Sequence, residues 1–192
     1  MQSLIKTDKS FLNIYNIEEY NELIEQCIEE VKNELLINPP IEIYGNTVYQ
    51  RRSVGFFSNT SIGYYYSRQL AKSKPLKQYS LELMEKINAR FGTKYNGILV
   101  NKYEDGTNYI GAHSDDEKNL DKGGVIAISH GIVRKFRIRD KKTKKIIMDI
   151  PTTSNSILHM GGDFQKEFTH EIPVEKKVKG DRYSLTFRTH LI

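Results

Sequence analysis

The chain has 192 residues, 38% of them hydrophobic and 28% charged, enough for one domain with its own core and unlike a disordered or fibrous composition. Its longest apolar runs, such as residues 97–100 and 125–128, fall far short of the roughly 18–20 residues of a membrane crossing; the opening residues, with Lys6, Asp8 and Lys9, hold no signal-peptide core, so an intracellular protein of nucleus or cytoplasm is expected. Lys and Arg number 29 against 24 Asp and Glu, a net charge of +5 that suits an anionic partner without naming one, and the single cysteine, Cys27, excludes an intrachain disulfide or a zinc site built on several thiolates.

Ile17, Tyr20, Leu23, Ile24, Cys27, Ile28, Val31 and Leu35 recur at three- and four-residue spacing, with Glu18, Glu25, Glu29 and Lys32 on the other face, which predicts an amphipathic helix. Asn16 is placed to cap it, with Glu19 reaching back, and Asn38-Pro39-Pro40 ends it. On that stripe Cys27 reads as a small buried hydrophobe. Residues 41–66 read as extended segments broken at Gly45, Gly55 and Gly63. A second helix follows Pro75, with Leu76, Tyr79, Leu83, Met84, Ile87 and Phe91 as its stripe and Gly92 as its stop. Beyond residue 95, short runs rich in Val, Ile, Tyr and Thr between turn signals predict strands at 97–103, 109–114, 125–131, 135–139, 145–150, 156–160, 168–172 and 183–191. This succession predicts an α+β, mainly β fold: a jelly roll or barrel with N-terminal helices packed on one sheet. The lysine-rich stretch 141–145 is a predicted hairpin tip, either solvated or touching phosphate.

His113 and Asp115 stand two apart on a predicted strand, so both project from one face and can reach one ion. His170, on a later strand, can supply a third donor. Two imidazoles and one carboxylate suit the open facial shell of non-haem Fe(II); on residues alone, zinc and a purely structural pair stay open. Near the C-terminus Arg182, Ser184, Thr186 and Arg188 alternate with Tyr183, Leu185 and Phe187, a doubly cationic polar face. Such a strand is either an exposed edge or buried against an anion, for instance a dicarboxylate that a guanidinium binds through two parallel hydrogen bonds. Asn101 and Tyr103 share parity and precede His113 by one turn at Asp105-Gly106.

Taken together, N-x-Y-x-D-G, H-x-D-D-E, S-x-G-x-x-R-x-F, M-G-G-x-x-Q before H-x-I-P, and R-x-S-L-T-F-R resemble the AlkB family of Fe(II)/2-oxoglutarate dioxygenases over residues 95–192. The resemblance implies one domain, with helices and recognition hairpins in 1–94 and a double-stranded β-helix core in 95–192. By the same resemblance His113, Asp115 and His170 hold Fe(II), Arg182 pairs with the distal carboxylate of 2-oxoglutarate, and Asn101, Tyr103, Ser184, Thr186 and Arg188 complete the co-substrate pocket, with O2 consumed. Ser184 departs from the family's usual Asn. Tyr44-Gly45 would be a finger entering a duplex, Tyr64 and Tyr66 would border a flipped base, and Asp116 and Glu117 would contact its edge. Arg51, Arg52 and the 141–145 tip are candidates for backbone phosphates. The implied activity is oxidative demethylation of N1-methyladenine and N3-methylcytosine in DNA, with RNA as a further substrate class, releasing formaldehyde, succinate and CO2. A monomer is expected. The alternative is the same chemistry on a protein or small molecule. His130, His159 and His190 receive no role.

Overall fold

The computed structural model describes residues 1–66, 69–115 and 124–190. It departs from the sequence pattern at the start of the chain, where Gln2–Lys6 (β1) and Ser10–Asn16 (β2) form an antiparallel hairpin ahead of the first helix. Asn16 therefore ends a strand and does not cap the helix; its side chain accepts the Glu18 N–H at 3.1 Å, and the tight turn Glu18–Tyr20 leads into α1 (Asn21–Val31). Glu19 pairs with Arg90 of the second helix and does not fold back on the cap. The expected stripe of α1 is buried, and burial pushes the Cys27 thiol up to about 12, so it is a packed hydrophobe and no nucleophile.

Two hairpins follow: β3 (Pro40–Ile43) with β4 (Asn46–Tyr49), and, after β5 (Ser53–Phe57), β6 (Gly63–Tyr66) with β7 (Gln69–Lys72). The second helix, α2 (Gln78–Phe91), packs on α1, whose Glu30 carboxylate accepts the Tyr79 and Ser80 N–H groups at 3.0 and 2.9 Å and so caps its neighbour. Gly92 closes α2 at φ +63°, as its position predicts.

All the strands expected after residue 95 form: β8 (Gly97–Asp105), β9 (Ile110–His113), β10 (Val125–Gly131), β11 (Arg134–Asp140), β12 (Ile146–Thr152), β13 (Ser156–Gly162), then a short helix α3 (Phe164–Glu167), β14 (Phe168–Ile172) and β15 (Lys179–Arg188). They build a seven-stranded sheet, β1-β2-β13-β10-β15-β8-β5, and a four-stranded sheet, β12-β11-β14-β9, with every paired neighbour antiparallel.

The large sheet has two different faces. Ile98, Val100, Ile126, Ile128, Leu185 and Phe187 join α1 and α2 in one core, while Tyr103, Val125, Ala127, Leu158 and Met160 meet Ile110, Phe136, Ile138 and Phe168 of the small sheet in another. This fixes the parity of β15. A one-residue slip would turn the fully buried Leu185 and Phe187 away from the helices, and each such side chain is worth about 1.5–3 kcal/mol. Arg182, Ser184, Thr186 and Arg188 are thereby forced into the space between the sheets, and the exposed-edge reading of this strand is excluded.

Candidate active site

In the pairing of β14 with β9, His170 lies directly opposite His113, which brings the two rings to 4.4 Å between centroids. Asp115 follows β9 by two residues and is buried; one donor atom from each of His113, Asp115 and His170 falls within 4.8 Å of the others. His170 Nε2 stands 3.6 Å from Asp115 Oδ2, and the His170 ring stacks on Phe136. His113 Nδ1 is 2.9 Å from the Gly111 carbonyl; donating there leaves Nε2 as the ligand atom.

The electrostatics suit a cation. Burial opposes ionisation of Asp115, but the Arg188 guanidinium, helped by the two imidazoles, holds its carboxyl well below the usual carboxylate range. Burial lowers both histidines, His170 to about 3, so both imidazoles are neutral at physiological pH. An anionic oxygen and two neutral ring nitrogens are the protonation states that metal coordination requires, and the donor set fits Fe(II).

Behind the triad the cavity continues to Arg182, which is 1% exposed. One of its nitrogens, Nη2, donates to Ser129 Oγ at 2.8 Å, while Nε and Nη1 have no partner among the described residues. A buried guanidinium with two unanswered nitrogens is costly unless an anion completes it, and burial lowers its pKa to about 10. Arg134, equally buried, is fully engaged by Glu175 and by the carbonyls of Asp105, Asn108 and Pro173; it holds the fold together. Tyr103 lies opposite Arg182 across β8 and β15 with its ring 5.5 Å from that guanidinium, and Asn101 lies opposite Ser184 with its buried Oδ1 unpartnered among the described residues. These residues line, with Thr186, Arg188 and the triad, a cavity of about 460 Å³ including its mouth, and a small dicarboxylate such as 2-oxoglutarate fits that lining. Besides lining this cavity, Arg188 donates from Nη2 to Asp115 Oδ1 at 3.1 Å, so it also holds a member of the candidate metal triad.

Of the residues assigned to substrate, Tyr44 and Gly45 form the two-residue tip of the β3–β4 hairpin, both at positive φ (49° and 78°), the geometry of a type I′ turn. Tyr44 is fully exposed there. Tyr64 is buried against Phe56, with the Arg188 guanidinium 4.8 Å from its ring, and forms a cavity wall. Arg51 is exposed. Arg52 corrects the sequence expectation: it is 3% exposed and lines the metal cavity, so it is withdrawn from any backbone phosphate. The alternation of Arg52 with Val54 and Phe56, buried residues of β5, was the signal that could have revealed this. Tyr66 belongs to β6, but its side chain, together with Asp116 and Glu117, lies outside the described residues. The 141–145 stretch is the tip between β11 and β12; Lys142, Lys144 and Lys145 are exposed, whereas Lys141 Nζ donates to the Gln165 carbonyl at 2.9 Å. His130 contacts Ser154 and Asn155, His159 packs between Phe11 and Phe91, and His190 stacks on Phe56. Phe136 and Gln165 touch the triad from outside it; both stood in the quoted motifs, but a motif does not say what a side chain touches.

The family model described as 2OG-Fe(II) oxygenase superfamily matches residues 9–188. Among curated proteins, the chain is 26% identical over 193 residues to the human "DNA oxidative demethylase ALKBH2", covering 96% of this chain and 74% of that protein. It is 27% identical over 178 residues to the bovine protein of the same name, covering 88% and 64%, and 32% identical over 136 residues to the bovine "Alpha-ketoglutarate-dependent dioxygenase alkB homolog 3", covering 66% and 48%. The chain thus spans between about half and three quarters of the length of these relatives. Its fold is similar to that in "The structure of OsALKBH1", with a TM-score of 0.62 at 13% identity over 98% of this chain and all of that one. A scaffold of that kind, carrying a His-Asp-His triad beside a buried arginine with open donors, agrees with the motifs: the chain belongs to the 2OG-Fe(II) oxygenase superfamily and, by its relatives, to the AlkB family of Fe(II)/2-oxoglutarate-dependent dioxygenases.

Proposed function

We propose that this protein is an oxidative demethylase of N-alkylated bases, acting on N1-methyladenine and N3-methylcytosine in DNA and, as a further class, in RNA. The observation that carries the reading is the shared cavity, in which the His113–Asp115–His170 triad and the open donors of Arg182 face one space. In this reading the two facing sheets are a double-stranded β-helix, and the chain is one catalytic domain working as an intracellular monomer. Among the described residues no helix is long and apolar enough to cross a membrane.

Fe(II), 2-oxoglutarate and O2, when bound, supply the oxidation that removes an N-methyl group as formaldehyde, leaving succinate and CO2. Everything else is done by the protein. Arg182 grips a carboxylate, and Asn101, Tyr103, Ser184 and Thr186 shape the space around it. Phe136 and Tyr64 wall the cavity with rings, excluding water and offering a base a stacking surface. A methylated base that cannot pair costs less to extrude, and an aromatic at the Tyr44 tip is placed to fill the vacated stack. Tyr66, Asp116 and Glu117 are assigned to the base and its edge. Arg51 and the exposed lysines of the 141–145 tip are assigned to phosphates, and binding then weakens with salt.

The test is formaldehyde release from N1-methyladenine in matched single-stranded DNA, duplex DNA and RNA, with and without 2-oxoglutarate. Release that depends on both the methylated oligonucleotide and 2-oxoglutarate is expected. Turnover of 2-oxoglutarate that no methylated oligonucleotide stimulates would point to a protein or small-molecule substrate and overturn the reading.

A further inference from the structure

Asp115 is the only member of the triad outside a strand, because β9 ends at His113 while His170 lies within β14. The Asp115 N–H, which a longer β9 would have given to the ladder, needs another acceptor. It finds the side chain of Gln165, whose Oε1 accepts it at 2.9 Å. Gln165 is itself fixed. It sits in α3, its Nε2 faces Met160 Sδ at 3.7 Å, and its own carbonyl accepts from Lys141 Nζ. Next to it, Ser114 Oγ donates to the Phe168 carbonyl at 3.0 Å, tying the same two segments together.

We infer that Gln165 is a positioning residue for the metal centre: it fixes the backbone of Asp115 while Arg188 fixes the carboxylate, so the ligand is aimed from both ends before an ion arrives. The inference rests on the triad being the Fe(II) site. Two residues past His113, the last paired residue of its strand, Asp115 would otherwise be a loop carboxylate free to swing, and a ligand that must be ordered on binding loses affinity. A neutral amide suits this place. It accepts the N–H without adding a second anion beside Asp115.

The test measures Fe(II) affinity anaerobically, without 2-oxoglutarate or nucleic acid, together with the thermal midpoint of the metal-free protein. Gln165→Met, of similar size but without the acceptor, should weaken Fe(II) binding about 10- to 100-fold, the range for groups that orient metal ligands, with the metal-free midpoint little changed. Gln165→Glu, which keeps an acceptor, should bind more tightly than Gln165→Met. Parent-like affinity in Gln165→Met overturns the inference. Amide exchange in the unaltered protein checks it without any variant: the Asp115 N–H should be protected, and exchange at the rate of an exposed loop would overturn it. A protein that binds Fe(II) with this dependence on Gln165 but releases no formaldehyde from methylated DNA overturns the proposed function alone; a protein that binds no Fe(II) overturns both.

Discussion

The space between the two sheets and the β3–β4 hairpin are built on opposite principles. Inside, the site residues borne on strands are placed by strand parity and by burial of their neighbours: Arg182 points inward because Leu185 and Phe187 must point at the helices, and Asp115 alone of the triad is held by hydrogen bonds to Gln165 and Arg188. Outside it, β3 and β4 form a two-stranded hairpin in which Ile41 alone is buried, and its tip is held in a left-handed turn. The first region is buried and held by its neighbours, as aiming donors requires; the second is exposed, which suits contact with a large partner. Under the proposed function the cavity carries the chemistry and the hairpin the substrate contact, and substitutions in each region should have separable effects.

The largest effect belongs to the triad. His170→Ala and Asp115→Ala should each reduce formaldehyde release to background while circular dichroism shows a folded protein, because each removes one of the three donors. Retained turnover in either variant would break the comparison at its root. Somewhat smaller is the contrast between two arginines that share near-complete burial but differ in partners. Arg182→Ala should raise the 2-oxoglutarate concentration needed for half-maximal turnover about 10- to 100-fold, the worth of charge-assisted hydrogen bonds of roughly 1.5–3 kcal/mol. Arg134→Ala removes four hydrogen bonds of the fold and should chiefly lower the urea midpoint, by about 3 kcal/mol of stability. If both variants changed the co-substrate requirement equally, the distinction between an open and a satisfied guanidinium would carry no function.

The same division explains what could be read from the sequence. Alternation on β15, the His-x-Asp spacing and the strands after residue 95 were legible because burial on one face dictates the other. The β1–β2 hairpin was not, because strand β2 joins the large sheet by pairing with β13, 140 or more residues away, and its own residues do not alternate cleanly. Asn16 shows the cost: a side chain well suited to a helix cap instead accepts an N–H in the turn after a strand. Arg52 was misread for a related reason. Next to Arg51 it looked like surface charge, yet β5 lies between β8 and the hairpins and turns it inward. Gln165 could not have been read at all, since its bond to Asp115 joins segments fifty positions apart.

The smallest effect concerns Tyr44. A bulky residue in the left-handed region costs roughly 1–2 kcal/mol, which glycine avoids, while glycine gives back about 0.4–1 kcal/mol through the freer unfolded chain. Tyr44→Gly should therefore raise the urea midpoint slightly, by about 0.5 kcal/mol of stability, and lower turnover on duplex DNA several-fold while sparing single-stranded DNA, whose bases need no extrusion from a helix. A stabler protein that works less well only on duplex would mean that the strain at the hairpin tip is kept for the aromatic ring it displays. Equal turnover of Tyr44→Gly and the unaltered protein on duplex would take the tip out of substrate recognition and leave the fully exposed ring without a purpose.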